Sequence, residues 1–245
     1  MRIAVPDRLI FSPLIEGSTG EHQLIRAPQS ECQNLLRTAR VELALISPLG
    51  FGSAPSLSDY QIIGSTCVVA EEGLDLAAIR FRSGLDIPRT YYAPEPDDFI
   101  TRIGLLLLAE QHELELHAVS SPADADTIIT WNDAGNFPSH PVVIDLTEEW
   151  WLAIECGLPL GIWVCRSELA EELDLVKLTT ELARAGLPSR EYLDSGGVLQ
   201  WRWDDRTHEA LKTTLEMLYY HHYITELPAL NVINSGPHQT KSRQT

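Results

Sequence analysis

"VIDLTEEWWLAIECGLPLGIWVCR", from Val143 to Arg166, holds three of the chain's six tryptophans. It sets an apolar strand, an acidic turn, a tryptophan-rich helical segment and a second apolar strand one after another. Strand–helix–strand is the repeating unit of an α/β fold, and the rest of the chain extends it. Toward the N-terminus, "RIAVP" reads as a short buried strand. "PQSECQNLLRTAR" is a helix with Leu35, Leu36 and Ala39 on its apolar side, followed by the strand "ELALIS". "QIIGSTCVVAEE" and "LDLAAIRFRS" are β-rich runs parted by the turn "EEG". "RTYYAPEP" is a strand that ends in a proline-punctuated loop, where Asp97 and Asp98 introduce the long helix "FITRIGLLLLAEQH". "LELHAVS" and "ADTIITWND" are strands around a turn at Pro122.

Beyond Arg166 the pattern becomes helical. "ELAEELDLVKLTTELARAGL" and "DDRTHEALKTTLEMLYYHHYITEL" carry leucines at three- and four-residue intervals, "WRWDDR" reads as an edge strand with a turn, and the polar tail from Asn231 is expected to fray. A strand-rich first part, a middle α/β unit and a helical end predict two lobes, the second inserted into the first. Residues 1–88 and 161–245 would form one lobe and 89–160 the other, with crossings near Pro88–Tyr92 and Leu158–Trp163. A cleft between lobes is then the expected place for a ligand.

The chain of 245 residues carries a formal net charge of −17. An acidic chain of this kind lacks the basic face that nucleic acid or an anionic membrane surface requires. "MRIAVPDRLIFSPLIEG" has Pro6, Asp7 and Arg8 where a signal peptide would need its apolar run, so a cytoplasmic protein is expected. Cys32, Cys67, Cys156 and Cys165 form no C-x-x-C pair, and Cys67 and Cys165 read as buried small hydrophobes. No metal or cofactor is expected. His221 and His222 are adjacent and point to different helix faces, His112 and His117 lie at a helix–strand junction, and the glycines of "PLGFGSAP" and "IEGSTGEH" lack a phosphate-cradle spacing. There is no G-x-S-x-G elbow.

The opening stretch also resembles a family: the futalosine-pathway menaquinone enzymes of the chorismate dehydratase type, which have a type II periplasmic-binding-protein fold. The matching features are Asp145-Leu146 at a strand end, Glu149-Trp150 on a helix, Gly157-Leu158-Pro159, and a strand closing with Trp163-Val164-Cys165-Arg166. "RIAVPDRLIFSPLIEG" is similar to the family's first strand and its Pro-Leu-(x)-(x)-Gly turn, at Pro13, Leu14 and Gly17. "VELALISPLGF" resembles the segment lining the first lobe's side of the cleft, and Asn132-Asp133 stands where the family usually has glycine-aspartate. The resemblance implies loss of water from chorismate to give an enolpyruvyl-benzoate, in a cleft lined by Ile10, Phe11, Ser12, Ser47, Pro48, Thr66, Asp97, Asp98, Thr101, Asn132 and Asp133. It also implies a hinge at Tyr91, Tyr92, Gly157 and Pro159.

Two departures bear on that chemistry. Ile10 replaces an asparagine that faces substrate in the family, and it has no polar group to offer. At the start of the long helix the family places a run of serine, threonine and arginine for the substrate's carboxylate; here Asp97 and Asp98 stand there, with Thr101 surviving nearby. Three readings follow. The chain is a dehydratase with a small carboxylate ligand, a divergent binder of a less anionic or cationic small molecule, or an interaction scaffold whose cleft has filled. Convergence of Ser47, Thr66, Asp133 and Arg166 on an open pocket would favour the first two, and a filled cleft the third.

Overall fold

The alternation of apolar strands and amphipathic helices resolves into two separate sheets. The structure is a computed structural model that describes residues 1–54, 59–170 and 174–234. The first part of the chain supplies β1 (Arg2–Pro6), β2 (Gln23–Ala27), α1 (Gln29–Arg37), β3 (Leu43–Ile46), α2 (Pro48–Gly52) and β4 (Tyr60–Glu71). The middle supplies β5 (Ala77–Phe81), β6 (Thr90–Tyr92), α3 (Phe99–His112), β7 (His117–Ala118), β8 (Thr127–Trp131), β9 (Val142–Asp145) and α4 (Leu146–Ile154). The remainder contributes β10 (Leu158–Arg166), α5 (Ser167–Ala170), α6 (Leu175–Leu182), β11 (Arg190–Tyr192), β12 (Val198–Arg202), α7 (Asp205–Tyr220) and β13 (Val232–Asn234).

The first sheet runs β11-β12-β4-β10-β3-β1-β2, with β13 paired to β4, and the second runs β7-β6-β8-β5-β9. Stripped of β11, β12 and β13, the two share one plan. In each, the strand second from one end (β10 in the first, β5 in the second) has crossed from the other sheet and is antiparallel to both its neighbours. The remaining core strands are parallel. That reversal has a simple cause: the parallel strands run toward the other lobe, and a strand arriving from it runs the opposite way. The fold is two-lobed and type II periplasmic-binding-protein-like, so the carboxyl ends of the parallel strands of both sheets face one cleft.

The crossings lie elsewhere than expected. The chain leaves the first sheet after Glu71 and joins the second at Ala77, ahead of Pro88. The return is made between Ile154 and Leu158. Asp145, at the end of β9, holds the outgoing crossing against the start of α4. It caps α4 through the Thr147 amide at 2.8 Å and accepts the Asp75 amide at 2.6 Å. Tyr91 and Tyr92 are therefore not hinge residues; they sit inside β6, paired with Thr127 and Ile128 of β8. Gly157 is at the return crossing and Pro159 just inside β10, opposite Val69. What glycine provides at 157 is room: a Cβ there would lie 2.6 Å from Val69 Cγ1.

Trp150 and Trp163 are fully buried, so packing explains much of the aromatic bulk of the opening stretch. Trp163, on the central strand β10, donates its Nε1 proton to Thr66 Oγ1 at 3.0 Å. Trp151, next to Trp150 and so on a different helix face, is half-buried and lines a cavity beside the crossings. Cys67 and Cys165 are buried in strands, and burial pushes both thiols up to about 12.

Three local expectations are corrected. "LELHAVS" yields only the two-residue β7, because His117 and Ala118 alone find ladder partners, Thr90 and Tyr91 of β6. "WRWDDR" is not an edge strand: Trp201, 1 % exposed, lies in β12 between β4 and β11. In the tail, Val232–Asn234 pairs with β4 rather than fraying, while the expectation for residues 235–245 lies outside the described residues. The expected helix through 168–187 appears as α5 and α6, with 171–173 also outside them.

Candidate ligand site between the lobes

In open α/β sheets, ligands bind beyond the carboxyl ends of the parallel strands. In the first lobe β1 delivers Arg8 to that position and β3 delivers Ser47. In the second, β6 leads to Glu95 and Asp98, and β8 ends at Trp131 and continues into Asn132 and Asp133. Of these, Arg8, Glu95, Asp98, Trp131 and Asp133 come together across the cleft.

Arg8 bridges the lobes. Its Nη1 donates to Asp133 Oδ1 at 2.6 Å, and its Nη2 donates to Glu95 Oε1. Its guanidinium carbon lies 4.9 Å from the centroid of the Trp131 ring, within range of a cation–π contact. The Arg8 side chain is only 14 % exposed, against 40 % for Glu95 and 48 % for Asp133. A guanidinium is a planar fork suited to carboxylate pairs and to aromatic faces, and here it engages both.

Beneath this triad lies Asp98. Its Oδ1 accepts the Ile100 amide at 2.8 Å, capping α3, and the indole N–H of Trp131 at 3.1 Å. Burial is the largest influence and pushes its carboxyl up to about 6, with Glu95 adding in the same direction. The Ile100 amide, Arg8 and the Trp131 indole pull the other way. Trp131 is thus held in place by an acidic anchor on one side and covers Arg8 with its face. Thr101 closes the floor, its hydroxyl donating to the Glu95 carbonyl at 2.8 Å.

The pocket bounded by Arg8, Pro94, Glu95, Asp98, Thr101, Thr130 and Trp131 retains a volume of ≈ 10 Å³. That is about one water molecule by the same measure. This part of the cleft is nearly filled, with the Arg8 side chain set beside the apolar Pro94, Ile100, Ile129 and Ala134. Outside the pocket, the end of α7 also touches the second lobe. Arg102 of α3 lies over the Tyr223 ring at 5.5 Å, and His221 Nε2 sits 2.9 Å from Glu110 Oε1.

The expected site residues separate into those this pocket gathers and those it does not. Asp98 and Thr101 line it, and Asp133 pairs with Arg8 at its edge. Asp97 is next door but turned outward, 84 % exposed and paired with Arg102 at 2.9 Å. Asn132 faces the crossing, giving its amide to Asp75 and accepting from Arg80 at 3.0 Å. Ser47 caps α2 by accepting the Gly50 amide at 3.1 Å, and Pro48 is that helix's first residue. Thr66 is fully buried, its hydroxyl engaged with Trp163 and the Thr179 carbonyl. Phe11 is fully buried and packs toward Gly161 and Leu45, while Ile10 and Ser12 lie half-buried in the 3-10 turn after Arg8. Arg166 sits opposite Tyr60, at the start of β4 and away from the cleft. Ser47, Thr66, Asp133 and Arg166 therefore do not converge.

Arg8, Glu95 and Trp131 complete the site and were not among the expected residues. One signal for them was available: arginine directly after the first strand, and a glutamate and a tryptophan next to Asp98 and Asp133, each at a strand's carboxyl end.

No protein-family model matches the chain, and no curated protein sequence does. Solved structures do match. Protein AF1704 from Archaeoglobus fulgidus superposes with a TM-score of 0.59 at 14% identity, over 91% of this chain and 98% of that one. The alkanesulfonate-binding protein SsuA from Xanthomonas axonopodis pv. citri, bound to MOPS, gives 0.59 at 13% identity over 96% and 98%. The periplasmic aliphatic sulphonate binding protein SsuA from Escherichia coli gives 0.59 at 12% identity over 100% and 94%. At such identities the likeness is one of fold.

Proposed function

We propose that this chain binds a small organic cation in the cleft between its lobes, and that it does not dehydrate chorismate. The observation that carries this reading is the charge balance of the pocket. Glu95 and Asp98 line it, Asp133 pairs with Arg8 at its edge, and Arg8 is the one cation in its lining among the described residues. With the three carboxylates ionised the cluster is net negative even with Arg8 in place, so it favours a further cation and repels an anion. A carboxylate brought to about 4 Å from one of them, at an effective dielectric near 20, meets about 4 kcal/mol of repulsion, close to a thousandfold in affinity. Chorismate carries two such groups. The family resemblance favours the dehydratase reading, but the donors its carboxylates would need are replaced at Ile10 and Asp97, and the helix cap is already taken by Asp98.

The nearly filled pocket, which would suit a scaffold, fits binding here because its occupant is polar and sits on a loop. The test is a panel read by thermal denaturation at neutral pH: methylguanidinium, a primary amine, a quaternary amine, benzoate, an alkanesulfonate and chorismate. Parallel incubations with chorismate are followed by chromatography. Cations should raise the melting temperature with concentration, the anions should leave it unchanged, and no enolpyruvyl-benzoate should form. In a Glu95→Gln, Asp133→Asn double variant the cation effect should be lost. Stabilisation by the sulfonate or by chorismate, or time-dependent product, would refute the reading.

A further inference from the structure

Arg8 occupies the pocket as a ligand would. Its guanidinium is held by two carboxylates of the opposite lobe, one on each terminal nitrogen, and lies against an indole face. The other end of its side chain leads back to a loop between β1 and a 3-10 turn, not to the core. Leu9, the next residue, is 80% exposed, while the backbone on either side is held, the Asp7 amide by the Ala27 carbonyl and the Phe11 amide by the Arg8 carbonyl, each at 3.1 Å, so it is the Arg8 side chain that is free to swing out. Resting on the proposal that the cleft takes cations, we propose that Arg8 is a built-in occupant of that site, that it keeps the empty protein closed, and that the ligand displacing it is a monosubstituted guanidinium compound.

The geometry favours a guanidinium over an ammonium. Glu95 and Asp133 accept from separate nitrogens of one planar group, and Trp131 lies over that group's face; a compact ammonium cannot spread its protons in one plane in this way. Trp131 is fixed by Asp98, so the stacking surface is already in place before any ligand arrives. A monosubstituted compound keeps both terminal nitrogens free for the two carboxylates, as Arg8 does, with its substituent directed toward the first lobe.

A resident competitor has a measurable consequence. If the free protein is closed on Arg8 for all but roughly 1–10% of the time, the apparent affinity for a ligand is reduced by that fraction. Arg8→Gln removes the competitor while leaving Glu95, Asp98, Trp131 and Asp133 in place. Methylguanidinium, titrated calorimetrically, should bind this variant roughly 10–100-fold more tightly than it binds the wild type. Methylammonium should gain by the same factor, while binding both proteins more weakly than methylguanidinium does.

Hydrogen exchange gives an independent readout that needs no ligand. In Arg8→Gln the backbone amides of residues 7–12 and 95–101 should exchange roughly tenfold faster or more, the scale expected for losing hydrogen bonds between charged groups. The Glu95→Gln, Asp133→Asn variant should show the same faster exchange but no methylguanidinium binding. Circular dichroism and thermal melting establish that each variant is folded, and Arg8→Lys, which keeps the charge but not the fork, should lie between Arg8→Gln and wild type. Unchanged exchange in Arg8→Gln would overturn the closing role of Arg8 and leave cation binding by the wild type to its own test. Faster exchange with no tightening for methylguanidinium would overturn the guanidinium assignment. Tighter binding of benzoate by wild type than by Arg8→Gln would instead make Arg8 an anion receptor and overturn both proposals.

Discussion

Trp163→Ala is expected to cost about 3–5 kcal/mol of folding stability, enough to unfold a large fraction of a marginally stable chain at moderate temperature. The side chain is fully buried on β10, the strand that has both β3 and β4 as neighbours and carries the chain back into the first sheet. Removing it opens a cavity in the middle of that sheet, and close-packed surroundings on both sides can collapse into it only in part. It also deprives Thr66 of its indole donor, although the hydroxyl keeps its contact with the Thr179 carbonyl. Trp163→Phe should lose less, about 1–3 kcal/mol, because most of the volume remains and the main deficit is the hydrogen bond. Urea denaturation of the three proteins measures both. A loss below 1 kcal/mol for the alanine variant would mean the first sheet is not organised around this residue.

Asp98→Asn should make the protein more stable at neutral pH and less dependent on pH. Asparagine caps a helix about as well as aspartate does, and its carbonyl oxygen can accept the Ile100 amide and the Trp131 indole N–H. The change is therefore mainly one of charge. The Asp98 carboxyl is raised from 3.8 to about 6 by burial, about two units, worth about 3 kcal/mol between the two protonation states. For a carboxyl raised in the folded state the sign is fixed. The fold holds the proton more tightly than the unfolded chain does, so its contribution is fully present below the unfolded value of 3.8 and lost as pH rises through about 6.

Wild type should thus forfeit about 2–3 kcal/mol from this group between about pH 4 and pH 7, and Asp98→Asn should not. The groups facing Asp98 are Arg8 from the first lobe, Glu95 before α3 and Trp131 at the end of β8, and all are retained in the variant. Carboxylates held below their usual range, such as Glu42 beside Arg2 and Asp126 at the Arg89 amide, act in the opposite sense in both proteins. The quantity to follow is therefore the difference between variant and wild type at each pH, by chemical denaturation. A difference that does not grow with pH would mean that Asp98 is not titrating in this range.

The sequence carried the fold because its periodicities are strong. "FITRIGLLLLAEQH" forms α3 at the residues where the apolar pattern begins and ends, and Asp98 caps it. β1, β3, β8, β9 and β10 likewise stand where apolar runs place them, whereas β2 is a strand the sequence reading did not include. The crossings were harder to place, because β5 looks like any apolar strand in sequence; only its pairing with β8 and β9 assigns it to the second sheet.

The cleft was partly legible. Asp98 and Asp133 follow strand ends and could be placed beside it, but Thr66 shows the limit: its polar group points into the sheet toward Trp163, a fact that depends on which face of β4 is turned inward. Arg8 was the least legible of all. It lies 87 residues from Glu95 and 125 from Asp133, and nothing short of the three-dimensional fold joins them.

The central claim, that this cleft selects cations, is tested most directly by calorimetric titration of the wild-type chain at neutral pH and low salt, once with methylguanidinium and once with chorismate. Saturable binding of methylguanidinium that weakens as salt is added, with no heat from chorismate, is the predicted result. Saturable binding of chorismate, with methylguanidinium silent, would contradict it.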